Sequence, residues 1–310
     1  MTIPKDFRPM LAINYEKVKV QPFVRYVSEK LDGVRVVFFG GVAYSRTLKP
    51  LPNKQIQKLA QQYSKVLEGC DGEVIYGDKY AVDVLQESTS FCMNANKQGD
   101  FSIWLFDKYH PTQQWIDRYS LLQDLYIQYP SLFPKEVHVL QHYYLVDKAE
   151  NPEEVVLEEF EAGVLSKGGE GVMIRNAHGT YKFGRSATRE PELQKVKRFL
   201  DMECVVTGYS QLETNKNEAV ENELGLLKRS TSKKGKVLVD ALGSITCALS
   251  NGLEFNVGSG FTIQQRIDFW KNMSENSVIG KLAKVKYFHI SAYGVPLLPT
   301  FIGFRSELDV

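Results

Sequence analysis

The chain has 310 residues, a length that suggests two domains, and its 43% hydrophobic and 24% charged residues are ordinary for a globular protein in water. A formal net charge of +1 gives no overall sign of nucleic-acid binding, although a local basic patch can still provide it. No apolar run approaches the roughly 20 residues of a membrane span, and the four cysteines are too far apart for a zinc or redox pair. With no apolar leader either, we expect a cytoplasmic protein without membrane contact.

Two strand-like runs, at residues 23–27 and 34–39, flank Lys30. Asp32 and Gly33 lie between the runs and form a pair that predicts a tight turn. Such a turn would hold the Lys30 amine against a sheet. A surface hairpin with an exposed lysine explains the same pattern, so this stretch alone does not decide between the two.

Helical and strand patterns alternate over the rest of the first 200 residues. Apolar spacing, caps and turns predict a helix from the cap Asn53 to Leu67, a turn and strand at 71–76, a strand at 101–107, a helix at 117–129, a helix from the cap Asn151 to Gly163, and strands at 170–175 and 193–199.

Beyond about residue 200 the pattern changes to short strands, at residues 203–209, 244–249, 254–258, 284–288 and 301–304. One helix, at residues 263–273 with Thr262 as its cap, precedes the fourth strand. Five short strands with such a helix are typical of a small barrel of the OB type. The sequence therefore predicts an α+β protein, with an antiparallel-sheet domain at residues 1–200 followed by an OB-fold barrel at residues 201–310.

Charged residues collect at the predicted strand ends of the first domain: Lys30, Asp32, Arg35, Arg46, Glu73, Asp107, Glu170, Lys195 and Lys197. This mixture suits nucleotidyl transfer, in which cations neutralise phosphate, acids hold Mg²⁺ and a nucleophile attacks phosphorus. Lysine attacks only as the neutral amine, which is about one molecule in a thousand near pH 7.4 at the reference pKa of about 10.4. Lys195, Lys197 and a bound metal are expected to lower the pKa of Lys30.

Five ordered motifs resemble the signatures of the covalent nucleotidyltransferases, which are ATP-dependent DNA ligases, RNA ligases and mRNA capping enzymes. The motifs are Lys30-Leu31-Asp32-Gly33-Val34-Arg35, Asp71-Gly72-Glu73, Phe106-Asp107, Glu170-Gly171-Val172-Met173-Ile174-Arg175 and Lys195-Val196-Lys197. Tyr44-Ser45-Arg46 resembles the DNA ligase branch. The resemblance covers almost the whole chain and is strongest to the two-domain ligases of bacteriophages and large DNA viruses.

The resemblance implies that Lys30 takes AMP from ATP and passes it to the 5′-phosphate of a nicked strand, where the 3′-hydroxyl displaces it. It implies four catalytic residues, Lys30, Asp32, Lys195 and Lys197. The implied ATP site comprises Glu29, Lys30, Arg35, Glu73, Phe106, Glu170, Lys195, Lys197 and, from the barrel, Arg305. Glu73 and Glu170 would hold Mg²⁺ or Mn²⁺, whereas a structural role and a metal role are equally open for Asp107.

The cations expected to contact the DNA backbone are Arg46, Lys228, Arg229, Lys233, Lys234, Lys236, Lys284 and Lys286. Residues 228–236 hold five cations among nine residues, and phosphate contacts need only charge and reach. We expect the partner to be nicked double-stranded DNA. We expect a monomer, in the cytoplasm of a bacterium or of a phage-infected cell.

Alternative functions share parts of this pattern. An RNA ligase or an mRNA capping guanylyltransferase has the same scaffold, although the residues of Ser45-Arg46 and Leu31-Asp32-Gly33 favour DNA. A non-catalytic OB-type nucleic-acid-binding protein is disfavoured by the intact lysine and acids. An NAD-dependent ligase would need a cysteine zinc module that these 310 residues do not accommodate.

Overall fold

The computed structural model describes residues 3–197, 199–221, 227–272, 278–291 and 293–305. These residues form two compact units, which divide after Lys197. No helix in the described part of the chain is long and apolar enough to cross a membrane.

The first unit contains two sheets and their covering helices. Its strands are β1 (Ile13–Asn14), β2 (Arg25–Glu29), β3 (Val34–Phe39), β4 (Val42–Tyr44), β5 (Cys70–Tyr76), β6 (Phe101–Lys108), β7 (Val137–Val139), β8 (Tyr143–Val146), β9 (Glu154–Val156), β10 (Val172–Asn176) and β11 (Leu193–Val196). Its helices are α1 (Lys54–Gln62), α2 (Ser64–Leu67), α3 (Val84–Met93), α4 (Trp115–Gln128) and α5 (Leu157–Ser166). The strand orders are β1-β11-β10-β2-β8-β9 in the six-stranded sheet and β4-β3-β5-β6-β7 in the five-stranded sheet.

Helices cover one face of each sheet. Strand β3 turns Val36 and Phe38 towards the core beneath α1 to α4, whereas Val37 packs on the opposite side with Met10. Val164 of α5 packs against the six-stranded sheet. The remaining faces of the two sheets border a common cleft.

The segment around Asp32 and Gly33 is not the predicted turn between neighbouring strands. Strand β2 lies in the six-stranded sheet and β3 in the five-stranded sheet, so the segment crosses from one sheet to the other. Close packing explains the glycine, because a Cβ atom at Gly33 would lie 2.3 Å from the carbonyl oxygen of Val74. The prediction was wrong because a local pattern does not say which sheet each strand joins.

Helix α5 also departs from the prediction, because it begins at Leu157 and ends at Ser166. The Glu154 carboxylate accepts backbone hydrogen bonds from Glu150 and Asn151, at 2.9 and 3.2 Å, and so stabilises a turn where a helix was expected. Residues 154–156 then form β9, parallel to β8. Two β-branched valines in this stretch favour the strand.

The predicted helix after Asn53 is confirmed, with Asn53 as its cap. It forms two helices, α1 and α2, instead of one. The Asn53 side chain accepts from the backbone N–H groups of Gln55 and Ile56 at 2.9 and 3.1 Å. The chain leaves the helix at Tyr63, which separates α1 from α2.

The second unit is a five-stranded antiparallel sheet with an additional hairpin and one α-helix in its described residues. Its elements are β12 (Leu200–Asn215), β13 (Ala219–Glu221), β14 (Leu227–Arg229), β15 (Lys236–Ala248), β16 (Glu254–Val257), α6 (Ile263–Lys271), β17 (Leu282–Tyr287) and β18 (Thr300–Phe304). The strand order is β16-β15-β12-β17-β18. The backbone N–H of Phe301 in β18 donates to the carbonyl oxygen of Ser259, just after β16, at 2.9 Å, and so joins the two edges of the sheet.

The predicted five strands and the intervening helix are confirmed in this unit. Thr262 caps α6 in a capping box with Gln265. The predicted helix end at Met273 lies outside the described residues. Strands β12 and β15 continue beyond the barrel core, and with the β13-β14 hairpin they form a projection that we call the arm (residues 212–221 and 227–239).

Candidate active site

The cleft between the two sheets of the first unit is the candidate site. Its apolar lining consists of Leu11, Ala12, Leu31, Phe106, Leu140, Met173 and Leu193. Its polar lining consists of Ser28, Glu29, Lys30, Arg35, Arg46, Glu73, His142, Arg175, Arg185 and Lys195. An apolar wall beside several cations is suited to an organic molecule that carries phosphate groups.

Strand register explains why these side chains meet. In the six-stranded sheet Met173 pairs with Lys195 on one side and Ser28 on the other, so the three side chains form one row. In the five-stranded sheet Arg35 lies directly opposite Glu73. Both rows border the cleft.

Lys30 follows β2, and its backbone N–H donates to the carbonyl oxygen of Gly171 at 2.8 Å. Gly171 has a φ of 145°, and a Cβ atom there would lie 2.4 Å from the carbonyl oxygen of Val196, so glycine alone fits this approach. The approach brings one oxygen of the Glu170 carboxylate to the Lys30 amine. The other oxygen accepts a hydrogen bond from Lys197. Glu170 thus bridges two lysines.

The charge state of Lys30 differs from the prediction. Burial lowers the pKa of Lys30, but the carboxylates of Glu170, Glu73 and Asp32 more than offset burial and leave the pKa raised. The lowered pKa expected from neighbouring lysines is therefore wrong for this cleft. Lys195 does have a lowered pKa, because it is partly buried and faces other cations, Lys30 first among them.

The opposite wall holds a second acid and a fixed arginine. Burial raises the pKa of Glu73 to about 7, although Arg35 and Lys30 oppose this effect. The Arg35 guanidinium donates to both oxygens of Asp71, at 2.5 and 2.7 Å. Its central carbon lies 4.6 Å from the centre of the Phe106 ring. Arg35 and Phe106 are therefore placed side by side.

Asp107 has a structural environment and not that of a metal ligand. Its carboxylate is fully buried and accepts hydrogen bonds from Arg118 at 2.9 and 3.1 Å and from Arg175 at 3.0 Å. Two guanidinium groups therefore occupy both oxygens. Of the two roles left open by the sequence, the structural one applies.

The other predicted residues of the first unit lie around the same cleft. Glu29 lines it and accepts hydrogen bonds from Lys79 at 2.8 Å and Tyr80 at 3.0 Å. Arg46 lines it with an exposed side chain. Asp32 is half-buried and close enough to raise the pKa of Lys30.

Among the ionisable residues of the cleft, sequence reasoning missed three, namely Arg175, Arg185 and His142. Arg185 is exposed and donates to the carbonyl oxygen of Ala12 at 2.8 Å, so it adds a cation to the same rim as Arg46. Arg175 is the last residue of the motif that begins at Glu170, and this position could have identified it as a site residue. Nothing in the spacing of the other two singled them out.

The predicted residues of the second unit lie on its surface. Arg305 donates to Glu203 at 2.5 Å, and Lys284 pairs with Asp201 at 2.5 Å. The Lys286 ammonium lies 5.0 Å from the centre of the Phe199 ring. The cations of the arm are Lys228, Arg229, Lys233 and Lys234, which are exposed, and Lys236, which pairs with Glu213 at 3.1 Å.

Comparison with known families decides what kind of protein has this cleft. Residues 9–197 match the family described as an ATP dependent DNA ligase domain, which is more than half of the chain. The chain belongs to the ATP-dependent DNA ligases. Residues 234–305 of this ligase match a second family, described as a DNA ligase OB-like domain.

Individual relatives agree with the family match. This ligase is 24% identical to a DNA ligase of Haemophilus influenzae over 302 residues, which cover 94% of this chain and 90% of that protein. A crystal structure of Chlorella virus DNA ligase-adenylate is 32% identical, with a TM-score of 0.52 and coverage of 97% of this chain and 99% of that one. A Lig E DNA ligase structure, 21% identical with a TM-score of 0.66, shares the fold over 96% of this chain and 99% of that chain.

The predicted family, α+β fold class and activity are confirmed. The protein is an ATP-dependent DNA ligase that seals nicked DNA. The RNA ligase, capping enzyme and non-catalytic alternatives are set aside, because both domain matches are to DNA ligases.

Proposed function

We propose that this ligase seals a nick in three transfers, with the Lys30 amine as the carrier of AMP. Lys30 first releases its ammonium proton to solvent, and the free amine then attacks the α-phosphorus of ATP, so that AMP is transferred to Lys30 and pyrophosphate leaves. AMP then passes to the 5′-phosphate of the nick. The 3′-hydroxyl displaces AMP and closes the backbone. The observation that carries the assignment is the cluster of Lys30, Glu170 and Lys197 beside the cleft. Positioning and charge neutralisation supply most of the catalysis in such steps.

Phe106 and Glu29 are proposed to hold the adenine. The half-buried Phe106 ring lines the cleft and offers an apolar surface for stacking. Glu29 lines the cleft at the end of β2, directly before the nucleophile. Glu73 would bind the ribose hydroxyls, with Arg35 near the sugar, and their positions on the opposite wall support this arrangement.

Lys195 and Lys197 are proposed to neutralise the α-phosphate during both the first and second transfers. Lys197 reaches the reacting amine through their shared partner Glu170, and Lys195 lines the same cleft. Asp32 would assist the attack of the 3′-hydroxyl. Its charge already acts on Lys30, which supports a place near the reacting groups.

Glu73 and Glu170 are proposed to hold Mg²⁺ or Mn²⁺ together with the phosphates of ATP. Among the described residues no three His, Cys, Asp or Glu side chains form a ready metal site. This fits Mg²⁺, which proteins usually bind through one or two carboxylates plus substrate phosphates. Although burial acts the other way, Lys30 and Lys197 hold the pKa of Glu170 below its usual range, so it is a charged ligand. The metal would supply neutralisation of phosphate charge.

Cations of both units are proposed to bind the DNA backbone. Arg46 lies beside the cleft, where the nick phosphate must arrive, and Arg305 would orient the leaving pyrophosphate. The other proposed contacts are Lys228, Arg229, Lys233, Lys234, Lys236, Lys284 and Lys286. The exposure of most arm cations supports them, since phosphate contacts need reach more than shape.

Each of the two domains predicted from the sequence is proposed to carry a separate part of the activity. Residues 1–200 are proposed to be the adenylation domain, and residues 201–310 the DNA-binding OB domain. The two family matches, at residues 9–197 and 234–305, support this division. We further propose that the ligase acts as a monomer in the cytoplasm.

A variant without the nucleophile tests the order of the steps. Lys30→Ala should not seal a nick with a plain 5′-phosphate, even with ATP and Mg²⁺. It should still seal a nick whose 5′-phosphate already carries AMP, because the last step needs no lysine amine. Sealing of the plain nick by Lys30→Ala at the wild-type rate would contradict the proposal.

A further inference from the structure

The arm leaves the barrel at a bulge in the pairing of β12 with β15. Between the pairs Ser210–Ser244 and Leu212–Val239, one residue of β12 faces four residues of β15, at positions 240–243. Extra residues in one strand bend it and increase its twist at that point. None of the described residues of the arm is buried, so the arm has no core of its own. Its direction is therefore set at this bulge, which we call the root (residues 211 and 240–243).

One side chain of α6, Arg266, binds the root from the barrel side. Its Nη1 atom donates to the carbonyl oxygens of Leu242 at 2.8 Å and Gly243 at 2.6 Å. Successive carbonyl groups of a regular strand point in opposite directions, so one nitrogen reaches both only because the bulge has turned them together. The Nη2 atom donates to the carbonyl oxygen of Gly258, just after β16, at 2.6 Å. A single guanidinium group thus ties the root to the neighbouring strand.

Close packing leaves the root little room to move. A Cβ atom at Gly243 would lie 2.6 Å from the carbonyl oxygen of Gln211, so the two strands approach each other directly at this point. Leu242 is fully buried in the barrel core, and Ala241 is buried beside it in the sequence. The Gln211 side chain donates to Asp240 at 3.2 Å across the bulge. The root is therefore held in one conformation, to which Arg266 contributes three hydrogen bonds.

We infer that Arg266 is a positioning residue for DNA binding, because it fixes the direction in which the arm leaves the barrel and so presents the arm cations to the DNA backbone together. The inference rests on the proposed role of those cations in DNA binding. An arm that is ordered in advance binds without an additional loss of conformational entropy. An arm released at its root has to be ordered during binding, and fewer of its cations reach phosphate groups at the same time.

Binding of the full chain to a nicked duplex with a 5′-phosphate tests the inference, when it is measured over a range of salt concentrations in EDTA so that no sealing takes place. Arg266→Met should weaken binding about tenfold at low salt. It should also reduce the slope of log K against log salt by about 1–2, since each lost phosphate contact removes roughly 0.9 from that slope. Thr262→Ala is the matched control, because it removes the cap of the same helix and keeps Arg266. It should bind with the wild-type slope.

A second variant disturbs the root without removing a charge. Gly243→Ala places a methyl group against the carbonyl oxygen of Gln211 and should reproduce the weaker binding and the smaller slope. Gly208→Ala, in the barrel part of β12, is its control, because a Cβ atom there meets Thr246 at an ordinary 3.5 Å. It should bind as the wild type does. Agreement between Gly243→Ala and Arg266→Met would assign the effect to the direction of the arm and not to the charge of Arg266.

A combined variant distinguishes the inference from the function on which it rests. Adding Arg266→Met to Lys228→Gln, Lys233→Gln and Lys234→Gln should reduce the slope no further than the three lysine changes alone, because the arginine acts through the arm. A further fall of about 1 would mean that Arg266 itself binds phosphate, and it would overturn the inference. Wild-type slopes in Arg266→Met and Gly243→Ala, or an equal loss in Thr262→Ala, overturn it as well. If the three lysine changes alone keep the wild-type slope, the proposed DNA-binding role of the arm fails, and the inference fails with it.

Discussion

Glu170 accepts hydrogen bonds from Lys30 and Lys197, and this arrangement keeps the proposed nucleophile in its ammonium form. Sequence reasoning identified all three residues, because each belongs to a motif that resembles a signature of the family. It gave the wrong sign for the pKa shift of Lys30, because that sign depends on whether acids or cations lie nearer in space. The charge balance of a cleft is set by tertiary contacts that spacing along the chain does not contain.

His142 carries a pH dependence that stability measurements can detect. Burial, and then the nearby Arg175, lower the pKa of His142 to about 3, so the folded protein keeps this side chain neutral. The unfolded chain binds a proton near its reference pKa of about 6.5, so stability falls as pH drops below that value. Between pH 7 and pH 5 this group should reduce the free energy of unfolding by about 2 kcal/mol.

Urea unfolding at both pH values checks this expectation. His142→Gln should remove that part of the pH dependence. His178→Gln, at an exposed position, should leave it unchanged. An identical pH dependence in the wild type and His142→Gln would contradict the account.

At the scale of strands and helices, most elements follow from apolar periodicity, and the errors occur where a local signal has two structural meanings. Asp32-Gly33 is a residue pair that favours a tight turn, but in the structure it crosses from one sheet to the other. Asn151 is a residue type that favours the N-cap of a helix, but in the structure it precedes strand β9. Both errors arise because strand partners come from distant parts of the chain, and local pattern does not name them.

The crossing between sheets gives a prediction for Gly33. A Cβ atom there would lie 2.3 Å from the carbonyl oxygen of Val74 and 3.0 Å from the Glu73 side chain, so Gly33→Ala should displace β5 and an acid of the cleft. Lysyl-AMP formation should fall at least about tenfold, since small misplacements at such sites are costly.

Gly163→Ala is the matched control for this change. In the described part of the chain, no atom outside its own helix lies within 4 Å of a Cβ atom at Gly163 in α5, so alanine should be neutral or stabilise by about 0.5–1 kcal/mol. Rates and urea unfolding measured together on both variants check the pair. An unchanged rate in Gly33→Ala would show that the close approach does not position the cleft.

The buried carboxylate of Asp107 connects β6 to α4 through Arg118 and to β10 through Arg175. Asp107→Asn leaves two guanidinium groups without their counter-charge, which should lower the free energy of unfolding by about 3–5 kcal/mol. Glu87→Gln, which breaks the partly exposed pair with Lys97, should cost less than about 1 kcal/mol. Urea unfolding of both variants measures the contrast, and equal losses would refute a structural role for Asp107.

At the scale of the whole molecule, composition and motif order were sufficient to predict two domains of different kinds. The arm was not predicted, because its strands mix polar and apolar residues without a buried apolar face, and their pairing continues β12 and β15 beyond the barrel core. Its cations were recognised as a charged patch, but no strand or helix was predicted there. In the structure they occupy strand β14, a short helical turn and the beginning of β15.

The arm should contribute charge to DNA binding and nothing to the first step. Lys228→Gln, Lys233→Gln and Lys234→Gln combined should reduce the slope of log K against log salt by about 2–3, because each lysine releases roughly one counterion. Lysyl-AMP formation should stay within about twofold, since DNA takes no part in it. Lys54→Gln, Lys58→Gln and Lys65→Gln on α1 and α2 form the matched control and should leave the slope unchanged. Equal slopes for the wild type and the arm variant would remove the arm from the DNA-binding surface.

The most direct measurement of the central claim is the identity of the labelled residue after the ligase reacts with ATP labelled at the α-phosphate. The protein is denatured and digested, and the labelled peptide is sequenced by mass spectrometry. AMP should be found on Lys30 alone, and Lys30→Arg, which keeps the charge beside Glu170, should carry none. AMP on another residue, or undiminished labelling of Lys30→Arg, would contradict the account.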